Sequence, residues 1–251
     1  MTNMNDAILK NLRIVLVGTT HPGNIGAAAR AMKTMGLSQL YLVDPKIYPS
    51  AEATSRAAGA DDVLATAVVT NSLAEALVNT QTIYATTART RSLTWPVSTP
   101  REAAEAIMPM LNSQQVAIIF GRENSGLTNE EVGMANRIIH IPTNPEYSSL
   151  NLASAVQLLA YEVRVRMLLD NSNNPDKQED MIEFMTHEQM EQFYSQLEAT
   201  MLKTEFLRAD QPGKLIQRMR RLFGRAVLQE DEYNILRGFL KSVQEKIVEK
   251  N

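Results

Sequence analysis

Along the first two thirds of the chain, short apolar runs alternate with stretches of helical period. Residues 12–17, 40–43, 83–86, 116–120 and 137–141 are rich in Val, Ile, Leu and Tyr, without the alternation expected of a half-exposed strand. Near-continuous apolar strands separated by helices predict a mostly parallel sheet with helices on both faces. That is an α/β fold. Ligands in such folds sit in the loops beyond the carboxyl ends of the strands. A helix over 150–169, with Val156, Leu159, Ala160, Val163 and Met167 at helical spacing, closes this region. The texture then changes. Residues 170–186 are polar and acidic and read as a linker. Thr186-His187-Glu188-Gln189 has the form of a capping box opening a helix whose apolar face is Met190, Phe193, Leu197 and Met201. Pro212 suits the first turn of a further helix. A last helix carries Leu236, Phe239, Leu240, Val243 and Ile247. The expected division is therefore a domain over 1–169, an acidic linker over 170–186 and a small all-α module over 187–251.

Composition narrows the chemistry. None of the 251 residues is cysteine, which excludes disulfides, thiolate metal sites and cysteine nucleophiles. The three histidines, His21, His140 and His187, are scattered, so no metal centre is expected. The first residues lack the pattern of a signal peptide, and no apolar run approaches the roughly 20 residues needed to span a bilayer. The expectation is a soluble, cytoplasmic protein without a membrane partner. The net charge of −3 hides an uneven distribution. Residues 1–169 carry 13 basic and 13 acidic side chains, whereas residues 203–225 carry seven basic against two acidic ones. Within that basic stretch Lys214, Arg218, Arg221 and Arg225 are spaced to share one helix face, with Leu215, Met219 and Leu222 on another. Such a stripe suits RNA phosphates, although a solvated helix face has the same pattern.

Four segments after predicted strands carry candidate chemistry. In His21-Pro22-Gly23-Asn24-Ile25-Gly26-Ala27-Ala28-Ala29-Arg30, Asn24 is a natural helix N-cap, Gly26 leaves space above the first turn, and Arg30 shares its face. The glycines at 18, 23 and 26 fit neither the dinucleotide fingerprint nor the ATP-binding loop. In Gly121-Arg122-Glu123-Asn124-Ser125-Gly126-Leu127-Thr128, Gly121 allows backbone to approach a ligand, and Glu123 can orient an arginine or a ribose. In Ile141-Pro142-Thr143-Asn144-Pro145-Glu146-Tyr147-Ser148-Ser149-Leu150-Asn151, two prolines pin a loop that offers hydroxyls, an amide and free N–H groups at a helix start. Thr86-Thr87-Ala88-Arg89-Thr90-Arg91 adds small residues and two arginines suited to phosphate. Taken singly, each segment also reads as ordinary capping, a βα loop or a surface loop.

Taken together and in this order, the segments resemble the three motifs of the SPOUT methyltransferases. The most specific stretches are the run from Asn144 to Ala153 and the Arg-x-Arg before Trp95-Pro96. Within that family the chain is most similar to the bacterial branch that methylates the ribose 2′-oxygen of tRNA cytidine or uridine. It departs from the family pattern at Gly18 and at Asn124-Ser125. The resemblance implies a C-terminal trefoil knot, an obligate homodimer with the site where the subunits meet, S-adenosylmethionine as cofactor, and tRNA as partner. The target it implies is nucleotide 32, at the 5′ end of the anticodon loop. It assigns Arg30, Asn24, Glu123 and Ser149 to catalysis. Thr86, Thr87, Ala88, Gly121, Ile141, Ser148, Ser149, Leu150, Asn151, Leu152 and Ala153 would cradle the methyl donor. Arg89, Arg91, Arg122, Lys214, Arg218, Arg221 and Arg225 would face RNA. A guanidinium stays protonated, with a pKa above roughly 12, so Arg30 is expected to clamp phosphate and stabilise a developing alkoxide rather than act as a base. Two alternatives stay open on the same fold: a ribosomal-RNA ribose methyltransferase and a non-catalytic RNA-binding protein.

Overall fold

The computed structural model describes residues 7–88, 96–173, 184–208 and 214–248. Seven strands, β1 (Leu12–Val17), β2 (Gln39–Val43), β3 (Val68–Thr70), β4 (Thr82–Thr86), β5 (Val97–Ser98), β6 (Val116–Phe120) and β7 (Arg137–Ile139), form one sheet in the order β3-β2-β1-β6-β4-β7-β5. Every pairing in it is parallel. The reason for the unbroken apolar runs is visible in β1. Leu12, Ile14 and Leu16 enter one core cluster, Val15 and Val17 enter another on the opposite face, and all six residues are buried. Helices α1 (Pro22–Thr34), α2 (Ala51–Ala57), α3 (Asp61–Ala65), α5 (Pro100–Met110) and α7 (Leu152–Asn173) cover the first face. The short α4 (Leu73–Ala76) and α6 (Asn129–Gly133) cover the second.

Several expectations shift by physical necessity. The strand expected over 137–141 ends at Ile139, because the chain must leave the sheet before Pro142. The helix expected over 150–169 spans Leu152–Asn173 and so enters the segment read as linker. Residues 174–183 of that segment, and Pro212, lie outside the described residues. The stripe Val156, Leu159, Ala160, Val163 and Met167 is wholly buried in the core, leaving it no surface to offer a partner. The opposite face of α7 is the open one, with Leu158, Tyr161 and Leu168 at 41 %, 50 % and 53 % exposure.

Beyond α7, Thr186 caps α8 (His187–Lys203) through a capping box with Gln189, as its sequence predicts. With α9 (Leu215–Ala226) and α10 (Glu230–Val248) this helix encloses a small separate core of Met185, Phe193, Tyr194, Leu228, Tyr233 and Leu240. Phe193 meets Phe223 edge-to-face, with centroids 4.8 Å apart. Arg220 joins α9 to α8 through a bidentate pair with Glu191 and lies over the Tyr194 ring. Phe239 and Leu222, expected on apolar packing faces, are exposed instead. This module docks where β4 and β7 begin. The His187 N–H donates to the Thr80 carbonyl at 2.6 Å, Glu188 accepts from the Asn79 N–H at 3.0 Å, and Asn136 donates to the Gly224 carbonyl at 3.2 Å.

Candidate functional site

A cavity of about 310 Å³ opens where β4, β6 and β7 end. It lies at the opposite end of the strands from the docked module. Three loops form its wall. Thr86, Thr87 and Ala88 leave β4, residues 120–127 leave β6, and Ile141, Thr143, Ser148, Ser149 and Leu150 follow β7. Leu152 and Ala155, from the first turn of α7, complete the lining. Of the residues expected to cradle a donor, Thr86, Thr87, Ala88, Gly121, Ile141, Ser148, Ser149, Leu150 and Leu152 all line this space. Asn151 and Ala153 do not. Asn151 is exposed and serves as a helix cap, and Ala153 is buried against the core. Asn124, Ser125, Gly126 and Leu127 line it without having been assigned to the donor, although they sit inside the quoted β6 loop.

The β6 loop is held by its own backbone. A Cβ on Gly121 would lie 2.2 Å from the Gly126 carbonyl carbon, so glycine is required for loop closure rather than for room beside a ligand. Gly26 behaves alike. The space expected above it is filled by α2, whose Ala53 carbonyl oxygen would lie 2.0 Å from a Cβ at that position.

Asn24 is not the cap of α1. Pro22 occupies the first turn, where its fixed φ suits a helix start, and extended His21 precedes it without a side-chain cap. A remote residue instead holds the segment that leads into the helix. Glu123 Oε2 accepts from the Thr20 N–H at 3.1 Å and the Thr20 hydroxyl at 3.0 Å. Its Oε1 accepts from the His21 N–H at 3.3 Å and from Asn24 Nδ2 at 3.0 Å. Burial alone would raise the Glu123 carboxyl pKa, but the hydrogen bonds from Asn24 and Thr20 outweigh it and hold the pKa below its ordinary value. Asn24 Oδ1 in turn accepts from Asn151 Nδ2 at 3.0 Å, and Asn151 Oδ1 caps α7 by accepting from the Ala153 N–H at 2.9 Å. One hydrogen-bonded chain thus ties the first, second and third candidate segments together.

The arginines separate into engaged and free. Arg122, which also lines the cavity, makes a bidentate pair with Glu131 at 2.9 and 3.0 Å, so its fork is engaged within the chain. Arg30 is exposed, pairs with no carboxylate among the described residues, and does not line its own chain's cavity. Lys214, Arg218 and Arg225 are exposed and Arg221 is half-buried, and none of the four has a carboxylate partner among the described residues. Arg89 and Arg91 lie outside the described residues. Among the described residues no group of three or more His, Asp or Glu is placed to hold a metal ion, and no helix is long and apolar enough to cross a membrane.

Residues 11–161 match the family model described as the SpoU rRNA methylase family. The chain belongs to the SpoU methylase family. Residues 188–251 of this SpoU methylase also match the model for the C-terminal domain of the tRNA methyltransferase TrmJ. The chain is 46 % identical over 237 residues to the tRNA (cytidine/uridine-2′-O-)-methyltransferase TrmJ of Photorhabdus laumondii, covering 94 % of this chain and 98 % of that one. Its identity to the same enzyme of Escherichia coli K12 is 45 % over 239 residues, covering 95 % and 97 %. The crystal structure of TrmJ from Z. mobilis ZM4 superposes with a TM-score of 0.78 at 36 % identity, covering 92 % of this chain and 98 % of that one.

The cavity suits the methyl donor of SpoU methylases. Leu127, Ile141, Leu150 and Leu152 offer apolar walls to an adenine ring, and Ser148 and Ser149 add hydroxyl-bearing side chains to the same lining. Its volume falls at the lower end of the range for small-molecule sites, roughly 300–1,000 Å³.

Proposed function

We propose that this chain moves the methyl group of S-adenosylmethionine to the 2′-oxygen of a cytidine or uridine in tRNA, at nucleotide 32, and does so as a homodimer. The observation that carries the reading is the pairing, in one chain, of the three-loop cavity with a C-terminal module matching that of TrmJ. When bound, the cofactor supplies a methyl group on a sulfonium, already activated for transfer. The residues then have three tasks. The loops after β4, β6 and β7 bind and orient the donor. The chain Glu123–Asn24–Asn151 fixes the start of α1 against the start of α7, so that the wall of the cavity keeps its shape. Ser149, on the cavity lining, would hydrogen-bond the incoming ribose.

Arg30 needs a substrate from outside its own cavity. On this reading it faces the partner subunit's site, binds the phosphate beside the acceptor ribose, and stabilises the alkoxide as the proton leaves to phosphate or solvent. The open face of α7, Leu158, Tyr161 and Leu168, supplies the apolar surface such a dimer needs. The trefoil knot and the division into a catalytic domain, an acidic linker and an RNA-binding module belong to the same reading. Lys214, Arg218, Arg221 and Arg225 on α9 would then hold the tRNA body by its phosphates.

The test is ribose-methylation mapping by mass spectrometry on tRNA and ribosomal RNA incubated with the protein and S-adenosylmethionine, with light scattering to give the mass in solution. A new 2′-O-methyl pyrimidine at nucleotide 32 is expected. Methylation of ribosomal RNA alone, or of neither, overturns the assignment. Arg30→Lys should lose on the order of 100-fold in kcat, because a point charge does not replace a bidentate fork. Near-full turnover would refute this role.

A further inference from the structure

Tyr147 does not line the cavity, and among the described residues it is the most exposed large apolar side chain, at 77 %. It sits immediately before Ser148 and Ser149, which line the cavity. Its outward aim is built into the backbone. Asn144 Oδ1 accepts from the Glu146 N–H at 3.0 Å, and the Tyr147 N–H returns to the Asn144 carbonyl at 2.9 Å. Pro145 fixes φ inside that turn. A tyrosine held open by a closed turn at the mouth of a cavity is a preformed flat surface, apolar across its face and polar at its tip.

The chemistry at the cavity demands such a surface. A ribose hydroxyl can reach a donor inside a cavity only if its nucleotide leaves the stack of its neighbours. Unstacked bases in RNA loops are characteristically received on aromatic side chains. The neighbouring charge says which part of the nucleotide arrives here. Glu146, the preceding residue, is exposed, and its carboxylate repels phosphate but not the face of a neutral base.

We infer that Tyr147 is the platform on which the base of the acceptor nucleotide stacks while its 2′-hydroxyl enters the cavity. This rests on the proposed tRNA ribose methylation, and it adds a substrate-contacting residue to it. The test compares full-length wild type, Tyr147→Phe and Tyr147→Leu. Leucine keeps the turn and an apolar side chain but removes the ring. Phenylalanine should leave kcat/KM near wild type. Leucine should lower it by about 5- to 150-fold, the range that loss of one base–aromatic stack gives. S-adenosylmethionine affinity by calorimetry and mass by light scattering should not change. An RNA anticodon hairpin with the fluorescent cytosine analogue pyrrolocytosine at the acceptor position should be quenched by wild type and Tyr147→Phe, but not by Tyr147→Leu. Equal quenching and equal kcat/KM for leucine and wild type would overturn the inference. So would a loss of donor affinity, which would make Tyr147 a cover over the donor, or a loss of dimer mass, which would make it a subunit contact. If wild type fails to methylate tRNA at all, the functional reading itself falls, and that outcome is distinct from an active wild type with an indifferent leucine variant.

Discussion

Glu123→Gln puts the shared hydrogen-bonded chain to the test. The carboxylate holds four donors on two oxygens, at 3.0 to 3.3 Å. Glutamine keeps one acceptor oxygen and places an NH₂ where the other stood. The Thr20 hydroxyl can rotate to accept from that NH₂. The best arrangement therefore puts the NH₂ at the Oε2 position and leaves the Thr20 N–H without its acceptor. An orphaned donor costs about 1–3 kcal/mol, and losing a negative charge at a helix N-terminus costs about 0.3–1 kcal/mol. Glu123 is partly open to water, which discounts both, so the expected loss is ~2 kcal/mol. For a chain of this length each 1 kcal/mol moves Tm by roughly 2–4 °C. The melting temperature should therefore fall by about 4–8 °C at neutral pH.

The same substitution loosens Asn24, and through it Asn151 at the start of α7. If about 1.4 kcal/mol of the loss reaches the cavity, S-adenosylmethionine binds about tenfold more weakly. The pH dependence follows from the direction of the Glu123 shift. Its folded pKa lies below the ordinary 4.5, so the folded state binds this proton less readily than the unfolded chain does. Its contribution is complete above the ordinary value and is lost as pH falls through the folded one. The gap in melting temperature between wild type and Glu123→Gln should therefore be widest near neutrality and close in acid. Scanning calorimetry and titration calorimetry measure both effects. Unchanged Tm and donor affinity, or a gap that widens in acid, would refute the argument.

Two further predictions concern the C-terminal module. Replacing Lys214, Arg218, Arg221 and Arg225 with alanine should weaken tRNA binding and flatten the dependence of log affinity on log salt by roughly three, at about 0.7–0.9 per phosphate contact, while donor binding stays intact. Filter binding across a salt series checks this, and an unchanged slope would remove α9 from the RNA interface. Burial lowers the pKa of His187 below its usual 6.5, against the opposing pull of Glu191 and Glu188. Its contribution to stability is therefore complete above pH 6.5 and declines as pH falls from there through the folded value. Urea unfolding at mildly acidic and neutral pH should show the loss in wild type and a flatter profile in His187→Gln, and parallel profiles would exclude His187 as its source.

The strands that matter for the site were legible because their residues are buried on both faces. Runs such as Val116–Phe120 admit almost no polar residue, and the pattern survives without any knowledge of neighbours. The strands Val68–Thr70 and Val97–Ser98 were not legible. They are short and lie at the sheet edges, with Val69 and Val97 more than half exposed, so no apolar run marks them. The candidate loops were placed correctly because a strand end can be read locally. What their polar residues do there could not be. Asn24 has the preferences of an N-cap, but it sits inside its helix and its side chain is held by Glu123, 99 positions away. Arg122 reads as a free cation until Glu131 is folded against it, and Arg220 until Glu191 is. A charge in a sequence is therefore functional only after the fold has subtracted the charges that satisfy one another. Among the candidate residues, Arg30 and the stripe on α9 keep no carboxylate partner in the described chain, while Tyr147 and the open face of α7 stay exposed. All four are placed by firm internal structure, and each lacks a partner of its own type within the described chain. That is the pattern expected where a second subunit and an RNA complete the site.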